Sequence, residues 1–213
     1  QDHPAYGPPE KKVQLEGTVI AITGANRGIS LGIADSSLAN SAARIYSLDI
    51  SDPGEDFVAI SSRYPNCLFA LHADVTSEPS MQATVDKIVD EAGAIHAMVC
   101  NAGCTKHKPT LDFTPEEIGC ESFHVFLYGS FYSARIAARG FIKPGVKGSI
   151  VFTASMASCR PNKRVPSAPY GAFTAGIRNM VHTLAMEWTQ HNIRVNSVSP
   201  DLIKTAMTYC VPQ

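Results

Sequence analysis

Short apolar runs rich in β-branched residues alternate along the chain with longer stretches of helical period. Residues 18–23 (TVIAIT) lead into a helix-compatible stretch through Ala39, and 44–48 (RIYSL) into a helix expected over about 55–63. Residues 67–72 precede an amphipathic run, 78–91, that sets Met81, Val85, Ile88 and Val89 on one face. Residues 95–100 pass through a loop into a long segment, 114–142. Residues 149–153, 168–191 and 193–198 complete the alternation.

Strands that are apolar at nearly every position are buried on both faces. The pattern therefore predicts an α/β fold, a parallel sheet covered by helices on both sides. Right-handed crossovers make it doubly wound, with ligands at the carboxyl ends of the strands. No repeat, low-complexity tract or linker divides it, so residues 15–213 read as one domain. Residues 1–14 read as a flexible arm, because the first twelve are polar and carry Pro4, Pro8 and Pro9 rather than a signal-peptide pattern.

Composition narrows the function classes. Hydrophobic residues make up 45% of the 213 and charged residues 17%, enough for a single buried core. The net charge of −1 is scattered, with no basic block for nucleic acid and no acidic tail. No apolar run reaches the roughly 18 residues that span a bilayer. The six cysteines, Cys67, Cys100, Cys104, Cys120, Cys159 and Cys210, form no disulfide framework, and no Cys/His partner cluster follows the closest pair at zinc spacing. They read as reduced thiols of a cytoplasmic protein without a metal. A small-molecule substrate is the expected partner, with neither nucleic acid nor membrane.

The first strand runs into Thr23-Gly24-Ala25-Asn26-Arg27-Gly28-Ile29-Ser30. Glycines at such a turn let backbone amides approach a pyrophosphate, which sits at the positive end of the following helix. A Gly-x-x-x-Gly alone is only a turn, and its glycines could serve packing. Its place between the first apolar strand and an Ala/Leu-rich helix favours the phosphate.

Taken with later motifs, this run resembles the T-G-x-x-x-G-x-G fingerprint of the short-chain dehydrogenase/reductase family. Asp74-Val75 resembles the family's adenine-contacting pair. Asn101-Ala102-Gly103 resembles N-N-A-G, with Cys100 in place of its first asparagine. Ser155 closes the fifth strand and Tyr170 opens the next helix. Arg194 to Pro200 (RVNSVSP) resembles the R-V-N-x-[IV]-x-P-G strand. The resemblance covers residues 15–207, and its general texture is that of the fungal polyol and sorbose reductase-like branch. Asn101 and Asn196 could instead simply tie loops together.

The resemblance implies a Rossmann-type fold that binds NAD(P)(H). Gly24, Asn26, Arg27, Gly28 and Ile29 would meet the diphosphate end, and Asp49, Asp74 and Val75 the adenosine. Asn101, Ala102, Gly103, Tyr170, Thr174, Pro200, Ile203 and Thr205 would complete the cofactor site. Asp49 is placed to accept a ribose hydroxyl and to repel a 2′-phosphate. Arg27 favours that phosphate in this family. The carboxylate tilts the expectation towards NAD, with NADP left open.

Four departures fall on motif positions. The family pairs a serine and a tyrosine with a lysine four residues after the tyrosine and an asparagine on the preceding long helix. The lysine lowers the tyrosine pKa and grips the ribose; the asparagine orders a relay water. Ser155 and Tyr170 match, but Thr174 stands for the lysine and Phe126 for the asparagine. A tyrosine ordinarily titrates near about pH 10, so losing the cation matters for acid catalysis. Ser30 replaces the last fingerprint glycine; it is small enough to be tolerated there, although its Cβ crowds the helix–phosphate approach. Asp201 replaces the glycine after Pro200 and brings negative charge, with Lys204, Lys163 and Arg164 as candidate compensating cations.

Three functions remain open on these residues. The first is an oxidoreductase of a small hydroxyl, carbonyl or imine compound with an atypical site. The second is a repurposed cyclase or isomerase of the reductase/Diels–Alderase kind, and the third a catalytically inactive cofactor binder. His107, on the loop after Gly103, borders the expected cleft, and His124 points to a different helix face from Phe126. The resemblance further implies a homodimer or homotetramer packed through the long helices. It also implies a C-terminal lid and last strand, for which only residues 208–213 remain.

Overall fold

The computed structural model describes residues 14–104, 108–161 and 167–205, with backbone alone for 119–122. Six strands, β1 (Val19–Thr23), β2 (Arg44–Asp49), β3 (Leu68–His72), β4 (Ala97–Cys100), β5 (Gly148–Thr153) and β6 (Ile193–Val198), form one sheet in the order β3-β2-β1-β4-β5-β6. Every pairing is parallel. The strand order reverses between β1 and β4, so the connections leaving their carboxyl ends part there and open a crevice.

The crossovers are α1 (Gly28–Ala39), α2 (Glu55–Arg63), α3 (Glu78–Ala92), α4 (Ser130–Ile142) and α5 (Ala168–Trp188). Local chemistry sets their ends. Ser77 caps α3 by accepting from the Ser80 amide at 3.4 Å, Pro79 lies in its first turn, and Gly93 closes it at φ 80°. Thr114 and Glu117 form a reciprocal capping box, with backbone-to-side-chain bonds of 3.0 and 3.3 Å.

The segment expected as one long helix divides into two windings. Glu117–Gly129 winds as a π-helix and continues directly into α4. Such winding usually appears as single turns beside functional sites. Here it spans 13 residues and carries Val125 and Phe126.

Alternation along the strands feeds two cores. Val19, Ala21, Tyr46, Met98 and Phe152 pack with α3, α4 and α5, while Ile20, Ile22, Ile45 and Val99 pack with α1 and α2. The expected two-sided burial holds for the central strands β1, β2 and β4. At the edge, β6 buries Ile193 and Val195 but exposes Arg194, Asn196 and Val198. Among the described residues no helix is long and apolar enough to cross a membrane.

Candidate active site

The crevice between β1 and β4 holds a cavity of about 480 Å³. Its floor is the glycine turn. Gly24 and Gly28 have φ of 66° and 65°, a region that disfavours side chains, and a Cβ on Gly24 would lie 3.0 Å from Ala102 Cα. No side chain caps the start of α1, and no acidic residue occupies its first turn. Four amides at a helix start lack intrahelical partners, and the positive end of the helix favours an anion. These features fit a cofactor diphosphate.

Around the turn, Asp49 is buried and fixed. Its Oδ2 accepts from the Asn26 amide at 3.2 Å, and its Oδ1 accepts from the Ser51 amide at 2.9 Å and hydroxyl at 2.8 Å. Asn26 faces inward: its Oδ1 accepts from Ser47 Oγ and its Nδ2 donates to the Ser51 carbonyl. It ties the turn to the end of β2 and does not line the cavity. Asp74 lines it while its Oδ1 accepts from the Thr76 amide and hydroxyl.

The loop after β4 is clamped from below. Thr23 Oγ1 accepts from the amides of Asn101 and Ala102, both at 3.0 Å. Ser30 is fully buried; its hydroxyl donates to the Thr23 carbonyl at 3.1 Å and accepts from Asn101 Nδ2. Its side chain turns into the core and is spent on that clamp, away from the cavity lining.

The end carrying Ser155 and Tyr170, the candidate reacting residues, is built differently. Ser155 follows β5, and its Oγ accepts from the Ala157 amide at 3.2 Å, starting a short 3₁₀ turn, Met156–Ser158. Tyr170 is half-buried in the first turn of α5. The helix lies close to the serine turn, since a Cβ on Gly171 would stand 3.2 Å from the Ala157 carbonyl. Thr174 is fully buried, and its hydroxyl turns back on its own helix towards the carbonyls of Tyr170 (2.9 Å) and Gly171 (3.2 Å). Phe126 is buried too, edge-on to Tyr170 at 5.5 Å and nearly parallel to Phe173 at 6.2 Å. Its ring lies so close to Gly103 that a Cβ there would overlap it at 2.1 Å.

Of the sequence-predicted residues, the cavity gathers Gly24, Arg27, Gly28, Ile29, Asp49, Asp74, Val75, Asn101, Ala102, Gly103 and Thr205. Asn26, Phe126, Ser155, Tyr170, Thr174, Pro200 and Ile203 are not among its lining residues. Pro200 stands beside the serine turn, its carbonyl accepting from the Met156 amide at 3.1 Å. Asp201 and Lys204 are exposed, and the Asp201 Oδ1 accepts from the Leu202 amide. His124 is exposed and packs edge-on to Tyr128 at 5.2 Å. His107, Lys163 and Arg164 lie outside the described residues. The cavity adds Leu48, Ile50, Ala73, Cys104 and Val125, each a chain neighbour of a predicted residue and legible by that adjacency alone. Burial pushes the Cys100 thiol well above its ordinary range, so it stays protonated beneath the site.

Comparison with known proteins agrees with this architecture. Residues 18–212 match the family model for short chain dehydrogenase. The 2-dehydro-3-deoxy-D-gluconate 5-dehydrogenase of Escherichia coli is 31% identical over 194 residues, 91% of this chain and 75% of that protein. A sorbose reductase of Schizosaccharomyces pombe is 30% identical over 206 residues, 91% of this chain and 76% of its own. The 3-ketoacyl-(acyl-carrier-protein) reductase from Brucella melitensis, solved with NADH, superposes with a TM-score of 0.82 at 25% identity, covering 91% of this chain and 79% of its own.

Proposed function

The chain belongs to the short-chain dehydrogenase family and is an NAD(P)-dependent oxidoreductase acting on a small molecule; on that premise we propose that it reduces an iminium, an imine already carrying its proton or a second substituent on nitrogen, in preference to a ketone. The observation that carries this reading is Thr174. A bound nicotinamide would supply hydride. A ketone that accepts hydride becomes an alkoxide and needs a proton, which the family delivers from a tyrosine acidified by lysine. An iminium carbon that accepts hydride gives a neutral amine and needs none. Position 174 carries no charge, and its hydroxyl is committed to helix carbonyls. Phe126, where the family orders water, is a buried ring. On this reading Ser155 and Tyr170 orient the substrate, while the glycine turn and the start of α1 hold the diphosphate.

With NADH, we expect turnover on an imine panel and little on a ketone panel. Equal kcat/KM on both would overturn the preference. Cofactor binding with no turnover on either panel would overturn it.

NAD is the cofactor in this proposal. Asp49 lines the cavity with its carboxylate fixed by three donors and would repel a 2′-phosphate. Arg27 shares the lining as the residue that would receive such a phosphate. NAD is expected to bind at least about tenfold more tightly than NADP, a difference of about 1.4 kcal/mol. The Asp49→Ala variant should narrow that gap, and an unchanged ratio in it would remove Asp49 from selectivity. A cytoplasmic homodimer or homotetramer, packed through α4 and α5, completes the proposal.

A further inference from the structure

We infer that His96 is a pH-sensitive latch joining the amino ends of β1 and β4, the two strands whose carboxyl ends part at the crevice. The inference goes beyond the reductase reading and does not need it. Three bonds meet at this residue. Its amide donates to the Val19 carbonyl at 2.8 Å, and its carbonyl accepts from the Ser149 amide at 3.0 Å. Its side chain adds the third, with Nδ1 accepting from the Val19 amide at 3.1 Å.

The third bond is the one a proton can break. In a parallel ladder an amide on that edge of β1 takes a carbonyl from the neighbouring strand. At the start of β4 the imidazole supplies the acceptor instead. A ring nitrogen accepts only while it carries no proton, so the latch needs a neutral His96 with its proton on Nε2. Val19 is 5% exposed, and a buried amide that loses its acceptor destabilises the fold. A proton on Nδ1 and the latch therefore exclude each other.

The charged groups on the elements around His96 are of other kinds. Glu16 ahead of β1, Glu91 in the last turn of α3, Lys143 after α4 and Lys147 ahead of β5 are exposed, and α4 turns Arg135 and Arg139 to Glu78. Carboxylates, lysines and arginines ordinarily keep one charge between about pH 5.5 and pH 8, while a histidine ordinarily titrates near about 6.5. The unfolded chain thus binds a proton at His96 that the latched fold excludes. This contribution to stability is complete above about pH 6.5 and is lost as the pH falls through that value.

The test is denaturant unfolding of the full chain and of its His96→Asn variant at about pH 8 and about pH 5.5. Asparagine sets an oxygen acceptor in the place of Nδ1 and does not titrate, so it keeps the latch and removes its pH sensitivity. Between the two conditions the unfolding equilibrium constant of the wild type should rise about tenfold more than that of His96→Asn, the factor for an ordinary histidine one unit below its midpoint. The other histidines are common to both proteins, so the difference isolates His96. The same pH dependence in both would overturn the inference. A second measurement needs only the wild type. Nitrogen NMR of the His96 ring at about pH 8 should find its proton on Nε2, and a proton on Nδ1 would overturn the inference whatever the variant does.

Discussion

At Ser30 a single hydroxyl joins three parts of the nucleotide end: the helix that carries it, the last carbonyl of β1, and the Asn101 side chain. Ser30→Ala leaves buried polar groups without that partner, so denaturant unfolding should show a loss of about 1–3 kcal/mol. A loss below a few tenths would mean that the clamp is idle. Gly103 is held by contact rather than by hydrogen bonding. Gly103→Ala drives a methyl into the Phe126 ring and should cost about 1–3 kcal/mol by overpacking. The cost should fall sharply in a Phe126→Ala background, and a double-mutant cycle reads that coupling directly. Cys100, buried and kept protonated, should resist alkylation in the native protein while exposed Cys104 and Cys159 react. Mass spectrometry of the labelled protein checks it.

At the scale of elements, what the sequence discloses follows from how local each signal is. The strands and the glycine turn depend on neighbours in the chain, and both are legible before the fold. Asn26 is the opposite case. Its motif position suggests a cofactor contact, yet Ser47 and Ser51, brought over on β2 and its loop, draw its side chain inward. The π winding of Glu117–Gly129 is equally hidden, because the apolar pattern of that stretch fits an ordinary helix. Position 174 shows how burial qualifies a motif. Thr174→Lys alone places an ammonium at a fully buried point of α5 and should destabilise the protein by several kcal/mol, about 3–5 if it stays charged and unpaired. A thermal melt unchanged by that substitution would show that the helix face opens more readily than its packing implies.

For the whole molecule, the β-α alternation already implies a doubly wound parallel sheet, because right-handed crossovers leave few topologies for such strands. It does not disclose how far the cavity extends. That depends on where the Phe126 ring meets, in space, the serine turn and the first turn of α5, which follow it some thirty to forty-five residues later. The protein thus joins a glycine-turn end that fits a dinucleotide to a second end where Thr174 and Phe126 are buried beside Tyr170. The measurement that tests this most directly is ketone kcat/KM with NADH for Thr174→Lys combined with Phe126→Asn, against the wild type. Where the double variant folds and binds cofactor, the restored acid function should raise ketone reduction by about a hundredfold. Unchanged ketone reduction in such a variant would contradict the claim that these two positions set the chemistry.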